Sequence, residues 1–243
     1  MIPWLIMRIL AIALVDGDLE RVRELRTAVD AERPDALVCA GGIGAPAGAP
    51  EATSLHRVVH ELAALPCPVA VVPGEEDAPE HRVLPILASQ EWTEHHLYCV
   101  HGMHAVVREL AIAGFGGAIV ERDRETETAL RDPSWEAKYR LAFLTQLDQP
   151  LLVLAFHHPP AQVRTVDLVD GVHAGSEAVT ELIGTWNPRV AVVAGASPAT
   201  ETYADTVVVS PGRLDRGEYA LVDTRGAREV RFASTSAPTR SQA

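Results

Sequence analysis

The chain has 243 residues, 47% of them hydrophobic and 22% charged, which is enough apolar material for one sizeable α/β core. Its net charge of −12 sets the overall field against a nucleic-acid backbone, and no basic patch opposes that field, because the arginines are interleaved with acids, as in Glu20 to Arg26 and Glu121 to Arg131. The apolar opening over 1–15, broken by Arg8, is too short to span a bilayer and lacks the basic leader and small-residue cleavage site of a secretory signal. A cytoplasmic protein is expected, with neither nucleic acid nor membrane as a partner. Cys39, Cys67 and Cys99 have no metal-type spacing and read as small buried hydrophobes in a reducing compartment.

In chain order, 8–15 reads as the first buried strand, with the residues before Met7 as an extension. Leu19, Val22, Leu25 and Val29 have helical spacing over 19–31, with Asp16 or Asp18 placed to cap that helix. A strand at 36–39 runs into a Gly/Ala/Pro-rich loop through Pro50, and Leu55, Val58, Val59, Leu62 and Leu65 mark a second amphipathic helix. The strand 68–72 ends at Pro73-Gly74, a helix follows near 79–88, and short strands are expected at 97–100, 104–107 and 110–113. The charged segment 119–133 reads as a surface excursion, 135–147 as a helix, 151–156 as a strand, 175–186 as a helix and 189–194 as a strand. The runs 206–210, 218–223 and 229–233 predict a closing β-meander, and 234–243 a polar, disordered tail. Alternating β and α elements argue for a parallel-rich sheet, and the later hairpin-like strands for a second one. The expected fold is α/β: two packed mixed β-sheets flanked by helices, a four-layer α/β/β/α sandwich, in a single domain over 1–233.

Ligands of such sheets bind where the chain leaves the carboxyl ends of the strands. Five loops have that position: 14–20 (LVDGDLE), 40–44 (AGGIG), 73–77 (PGEED), 156–160 (FHHPP) and 194–198 (AGASP). Gly41-Gly42-Ile43-Gly44 offers backbone N–H groups to an anion, or serves only as a tight turn; no G-K-[ST] follows, so it is not a P-loop. His157-His158 offers an imidazole for metal ligation or acid–base work, or ends a strand in a turn where His157 bonds a carboxylate. His95, His96, His101 and His104 fall on alternating faces and do not force one site, His173 stands just before a helix, and no G-x-S-x-G elbow occurs.

Taken in order, the five loops resemble the motifs of the calcineurin-like metallophosphoesterases. Gly17-Asp18-Leu19-Glu20, Gly114-Phe115-Gly116-Gly117 and Pro211-Gly212 support the likeness, and 71–79 (VVPGEEDAP) and 135–141 (WEAKYRL) are similar to a divergent branch with eroded motifs. The resemblance covers about 8–233. It implies D-x-H, G-D, G-N-H-[DE], H and G-H-x-H in the five loops, and two cations that share one bridging aspartate and activate a water. Position by position, the first aspartate falls on Leu14, its histidine on Asp16 and the bridging aspartate on Gly42. The asparagine falls on Glu75, the acid histidine on Glu76, the trailing acid on Asp77, the fourth-loop histidine on His157, and the last two histidines on Ala196 and Pro198.

What the resemblance implies is therefore a degenerate site. Either no cofactor is held, or one weakly bound divalent cation (Mn, Mg or Ca) sits at Asp16, Glu75 and His157. Glu76 and His157 are the catalytic candidates if activity survives, and Asp16, Gly42, Glu75, Asp77 and His158 remain for a small phosphorylated ligand. Three readings stand: a non-catalytic binding or regulatory module, which is favoured; a phosphoester hydrolase with a depleted single-metal site; and a structural or homo-oligomer-forming subunit.

Overall fold

Strand side chains alternate between two faces, and here both faces are apolar, so each sheet must be covered on both sides. The computed structural model describes residues 7–45, 55–77, 79–94, 96–121, 126–147, 151–169, 172–224 and 229–235. The expected tail, the residues before Met7 and His95 fall largely or wholly outside them. In chain order the first half contains β1 (Arg8–Ile12), α1 (Leu19–Glu32), β2 (Ala36–Cys39), α2 (Leu55–Ala63), β3 (Val69–Val71), α3 (Glu80–Glu94), β4 (Leu97–Cys99), β5 (His104–Val107), β6 (Leu110–Phe115), β7 (Ala118–Val120), β8 (Arg131–Pro133) and α4 (Ser134–Arg140). The second contains β9 (Leu151–Phe156), β10 (Leu168–Val169), β11 (Val172–His173), α5 (Glu177–Trp186), β12 (Val190–Val193), β13 (Pro198–Tyr203), β14 (Thr206–Pro211), β15 (Glu218–Asp223) and β16 (Val230–Ser234).

One six-stranded sheet has the order β16-β15-β1-β2-β3-β4 and the other β13-β14-β12-β9-β6-β5. Within the first, β1 to β4 are parallel and β15–β16 antiparallel; within the second, β6, β9, β12 and β14 are parallel, with antiparallel β5 and β13 at the edges. Ile9, Ala11, Val38 and Ala70 of the first sheet pack in one cluster with Ile112, Val153, Val192 and Val209 of the second. The alternate residues Leu10, Ile12, Leu37 and Val71 turn outward onto Val22, Leu25, Val58, Leu62 and Val83 of α1 to α3. Leu154, Phe156, Ala191 and Val193 turn outward onto Ala137, Val179, Leu182 and Ile183 of α4 and α5. Period-2 alternation thus builds the four layers, helix on sheet on sheet on helix.

The closing strands form, but not as one meander. β14 joins the second sheet beside β12, while β15 and β16 return to the first. The sequence Thr-Val-Val-Val-Ser-Pro is buried at every residue of β14, which demands a neighbour layer on both faces rather than a half-solvated meander. The charged excursion contains the short parallel pair β7–β8. The helix expected over 135–147 stops at Arg140 and continues as a 3-10 turn over Ala142–Gln146, and α3 runs on to Glu94 with Pro85 inside it. β13 was not anticipated: its polar Pro-Ala-Thr-Glu-Thr-Tyr run is an edge strand with alternate residues exposed. The cysteines are free; Cys39 and Cys67 are buried, and burial pushes the Cys39 thiol up to about 12 and the other two up to about 11, so none is an active nucleophile near neutrality.

Candidate functional site

The five loops leave the carboxyl ends of β1, β2, β3, β9 and β12, and the first two are knitted to each other by backbone. Leu14 N–H donates to the Gly41 carbonyl at 2.9 Å and Asp16 N–H to the Gly42 carbonyl at 2.8 Å, extending the β1–β2 pairing past the strands. This geometry holds Leu14 (φ 51°) and Asp16 (φ 48°) in the left-handed region, a costly backbone state for residues with a Cβ. A Cβ on Gly42 (φ 69°) would lie 2.9 Å from Leu14 Cδ2, and one on Gly74 would lie 2.3 Å from Gly42 N. Leu14 and Gly42, to which the resemblance assigns the first and the bridging aspartate, are therefore an aliphatic side chain packed on bare backbone, with no space for a carboxylate on Gly42.

Asp77 takes the anion role that the glycine-rich loop offers. Its carboxylate, 5% exposed, accepts from Ile43 N–H at 3.0 Å, Gly44 N–H at 2.6 Å and Gly74 N–H at 2.6 Å. The cradle is thus filled from within the chain, and its occupant locks the second loop to the third.

Asp16 and Glu75 face guanidinium groups. Asp16 pairs with Arg213, which also holds Asp215 through contacts of 3.0 and 2.8 Å. Burial raises the Asp16 carboxyl and outweighs the attraction of Arg213, while Asp215 and Asp77 add like charge. Glu75 accepts from Arg131 Nε at 2.7 Å and from His158 Nε2 at 3.1 Å. Those two bonds, His158 first, overcome burial and hold its carboxyl down at about 2. Glu75 in this way ties the third loop, on the first sheet, to the fourth loop on the second and to β8.

His157 Nδ1 lies 3.0 Å from the Ala40 carbonyl, which can only accept, so the proton is on Nδ1 and Nε2 carries the lone pair. Burial first, and then the neighbouring His158, lower its pKa. Glu76 is exposed, with no side-chain bond among the described residues. The structure therefore brings together Asp16, Gly42, Glu75, Asp77, His157 and His158 at adjoining strand ends, and leaves Glu76 outside their network. Asp18, not Asp16, caps α1, accepting from Arg21 N–H at 3.0 Å.

The remaining histidines do not add to the site. His96 and His104 are exposed, and His173 bonds the buried Asp167 at 2.6 Å on the β10–β11 hairpin. His101 is 1% exposed and accepts from Gly116 N–H at 2.9 Å behind the third loop. His158 also lines an open cavity of about 540 Å³ with Ile119, Glu121, Ser134, Ser176 and Glu177.

Sequence reading missed the cations. Arg213 and Arg131 lie far along the chain from Asp16 and Glu75, the acids they hold, and outside every motif. The signal available was electrostatic: half-buried carboxylates in a low-dielectric cleft require compensation, and arginine is the residue that supplies it in place of a metal.

Divalent cations need carboxylates, imidazoles or water with free lone pairs converging on one point. Here the carboxylates are spent on guanidinium and backbone donors, and among the described residues no group of three or more His, Cys, Asp and Glu stands where it could hold a metal ion. The residues present do not fit the two-metal centre.

A family model for metallophosphoesterases of the calcineurin superfamily matches residues 49–234. Among solved structures, TT1561 of Thermus thermophilus is 31% identical, with a TM-score of 0.82 over 95% of this chain and 100% of that one. GAP50, the anchor in the inner membrane complex of Plasmodium, is 10% identical, with a TM-score of 0.62 over 96% of this chain and 85% of that one. A novel archaeal phosphodiesterase is 11% identical, with a TM-score of 0.52 over 94% of this chain and 99% of that one. The last two share the fold alone. No curated protein matches the chain. With the family model over most of its length and a four-layer sandwich whose strand-end loops follow the family order, the chain belongs to the metallophosphoesterases of the calcineurin superfamily.

Proposed function

We propose that this protein is a metallophosphoesterase-fold binding or regulatory module that has exchanged its metal centre for internal ion pairs. The observation that supports this most is the pairing of Asp16 with Arg213 and of Glu75 with Arg131: the acids nearest the ligand positions are neutralised by cations of the same chain. Leu14 packed on Gly42 and Asp77 filled by backbone donors point the same way. The ligand envisaged is a small phosphorylated molecule at the strand-end loops, with no nucleic acid or membrane as partner; no helix among the described residues is long and apolar enough to cross a membrane.

Protein purified without chelator should contain far less than one divalent ion per chain and should not hydrolyse aryl phosphate mono- or diesters with added Mn²⁺ or Mg²⁺. Nucleotides or phosphorylated metabolites should raise its melting temperature, because a ligand that binds only the folded state stabilises it. Stoichiometric metal together with hydrolysis abolished by Asp16→Ala or His157→Ala would establish the opposing reading, a hydrolase with one ion at Asp16, Glu75 and His157. That reading has one observation in its favour: His157 keeps Nε2 free while Nδ1–H is held by a carbonyl, the usual arrangement of a ligating imidazole. Tight self-association without response to any ligand would point instead to a structural, homo-oligomeric subunit.

A further inference from the structure

We infer that the opposite end of the second sheet holds a separate binding site for a small carboxylate with an apolar body. There α5 ends at Trp186, Asn187 turns the chain in the left-handed region (φ 44°), and Pro188-Arg189 lead into β12. Between this turn, the start of β9 and the 3-10 turn after α4 lies a cavity of about 340 Å³, within the range that admits a small organic ligand. Ala111, Leu144, Leu147, Leu152 and the Trp186 ring form apolar wall, and Arg189 lines the same space.

One donor at this cavity has no acceptor from the chain. Arg189 is half-buried, and among the described residues it is the one half-buried arginine whose side chain makes no ion pair or hydrogen bond. Its counterparts Arg21, Arg131, Arg140 and Arg213 all hold carboxylates. The Trp186 indole Nε1–H is also without a partner but is out of reach of solvent, so it faces away from the open space and serves as a reporter on the cavity wall rather than as a donor to a ligand. A half-buried guanidinium with no acceptor from the chain, set beside an apolar space, points to an acceptor supplied from outside. A carboxylate supplies two acceptor oxygens in the geometry a guanidinium prefers, and the leucine wall takes hydrocarbon. Asp205 lines the cavity too, with a partner of its own, and its charge disfavours a phosphate ester relative to a singly charged acid. β9 is six residues long, so the cavity lies roughly 20 Å from the loop that carries His157, and the inference stands or falls apart from the phosphoesterase cleft.

The test titrates the full chain with 3-phenylpropanoate and octanoate, and with neutral 3-phenylpropanamide, while following the Trp186 indole N–H by ¹⁵N NMR. Both acids should bind with a Kd of about 1 mM or tighter and move that signal, and the amide should bind at least about tenfold more weakly. Arg189→Gln should reduce the acids to the level of the amide. The substitution leaves intact the main-chain bonds from Arg189 N–H to Leu152 and from Val207 N–H to Arg189, and circular dichroism checks the fold. No saturable binding of either acid, equal binding of acid and amide, a Trp186 signal that does not move, or unchanged affinity in folded Arg189→Gln would each overturn the inference. The acid–amide comparison on the unmodified chain decides the matter even if the variant does not fold.

Discussion

Asp77 satisfies three backbone donors that belong to two loops, and its carboxylate is what holds those loops together. Charge-assisted bonds of this kind are worth more than neutral ones, and deleting the acceptor leaves buried N–H groups exposed to no solvent. Asp77→Ala should therefore cost at least about 3 kcal/mol of unfolding free energy in urea, with the slope unchanged, while Asp77→Asn, which keeps an acceptor oxygen but not the charge, should cost less. A loss of under about 1 kcal/mol for the alanine would mean that the carboxylate is not the occupant of the cradle in solution. The neighbouring glycine carries a second consequence. Gly42→Asp restores the family's bridging residue by name, yet it places a Cβ against Leu14 at a positive φ. It should lower stability by about 2 kcal/mol and leave the metal content unchanged, checked by thermal melting and elemental analysis. That Leu14 and Gly42 offer no donor side chain was legible in the sequence, because the residue type alone states it. The partner of Asp16 was not, because Arg213 is 197 residues from it and no local pattern links the two.

Strands with continuous apolar runs were legible because burial on both faces leaves no other reading for Ile-Leu-Ala-Ile or Val-Ala-Val-Val. β13 was hidden because an edge strand with exposed Pro and Thr has the composition of a loop, and the partition of β14 from β15 because two apolar strands do not state which sheet they join. The loops between these elements depend on Glu75 as a tie between the two sheets. Its folded-state carboxyl sits near 2 against an ordinary value of 4.5, so its contribution is fully present above about pH 4.5 and is lost as the pH falls toward 2. The most that shift can supply is about 3 kcal/mol. The stability gap between the unmodified chain and Glu75→Gln, read from urea unfolding at a series of pH values, should be constant above about pH 5 and close below about pH 4. A gap that stays open down to about pH 2 would show that the bonds to His158 and Arg131 do not depend on the charge.

At the scale of the whole molecule, the seam between the sheets is apolar along its length and is stitched at the strand-end edge by two imidazoles that work in opposite directions. His101, after β4 of the first sheet, accepts from Gly116 N–H after β6 of the second; His157, after β9 of the second, donates to the Ala40 carbonyl after β2 of the first. Burial depresses both, His101 to about 3, so each takes up a proton less readily in the folded protein than in the unfolded chain, which does so near 6.5. For a base whose folded pKa is lowered, stability is fully present above the unfolded value and drains away as the pH falls below it. Protonating His101 also removes the lone pair that Gly116 needs. Stability should hence fall from about pH 6.5 downward, at up to about 1.4 kcal/mol per pH unit for each histidine. Glutamine at either position can reproduce the single bond made there without a titrating nitrogen, as acceptor for Gly116 or donor to Ala40. The double variant His101→Gln, His157→Gln should accordingly be less stable than the parent at about pH 7.5 but lose much less between about pH 7.5 and about pH 5, measured by chemical denaturation at both values. An equal loss in parent and double variant would place the acid sensitivity elsewhere and leave the two imidazoles as packing groups alone.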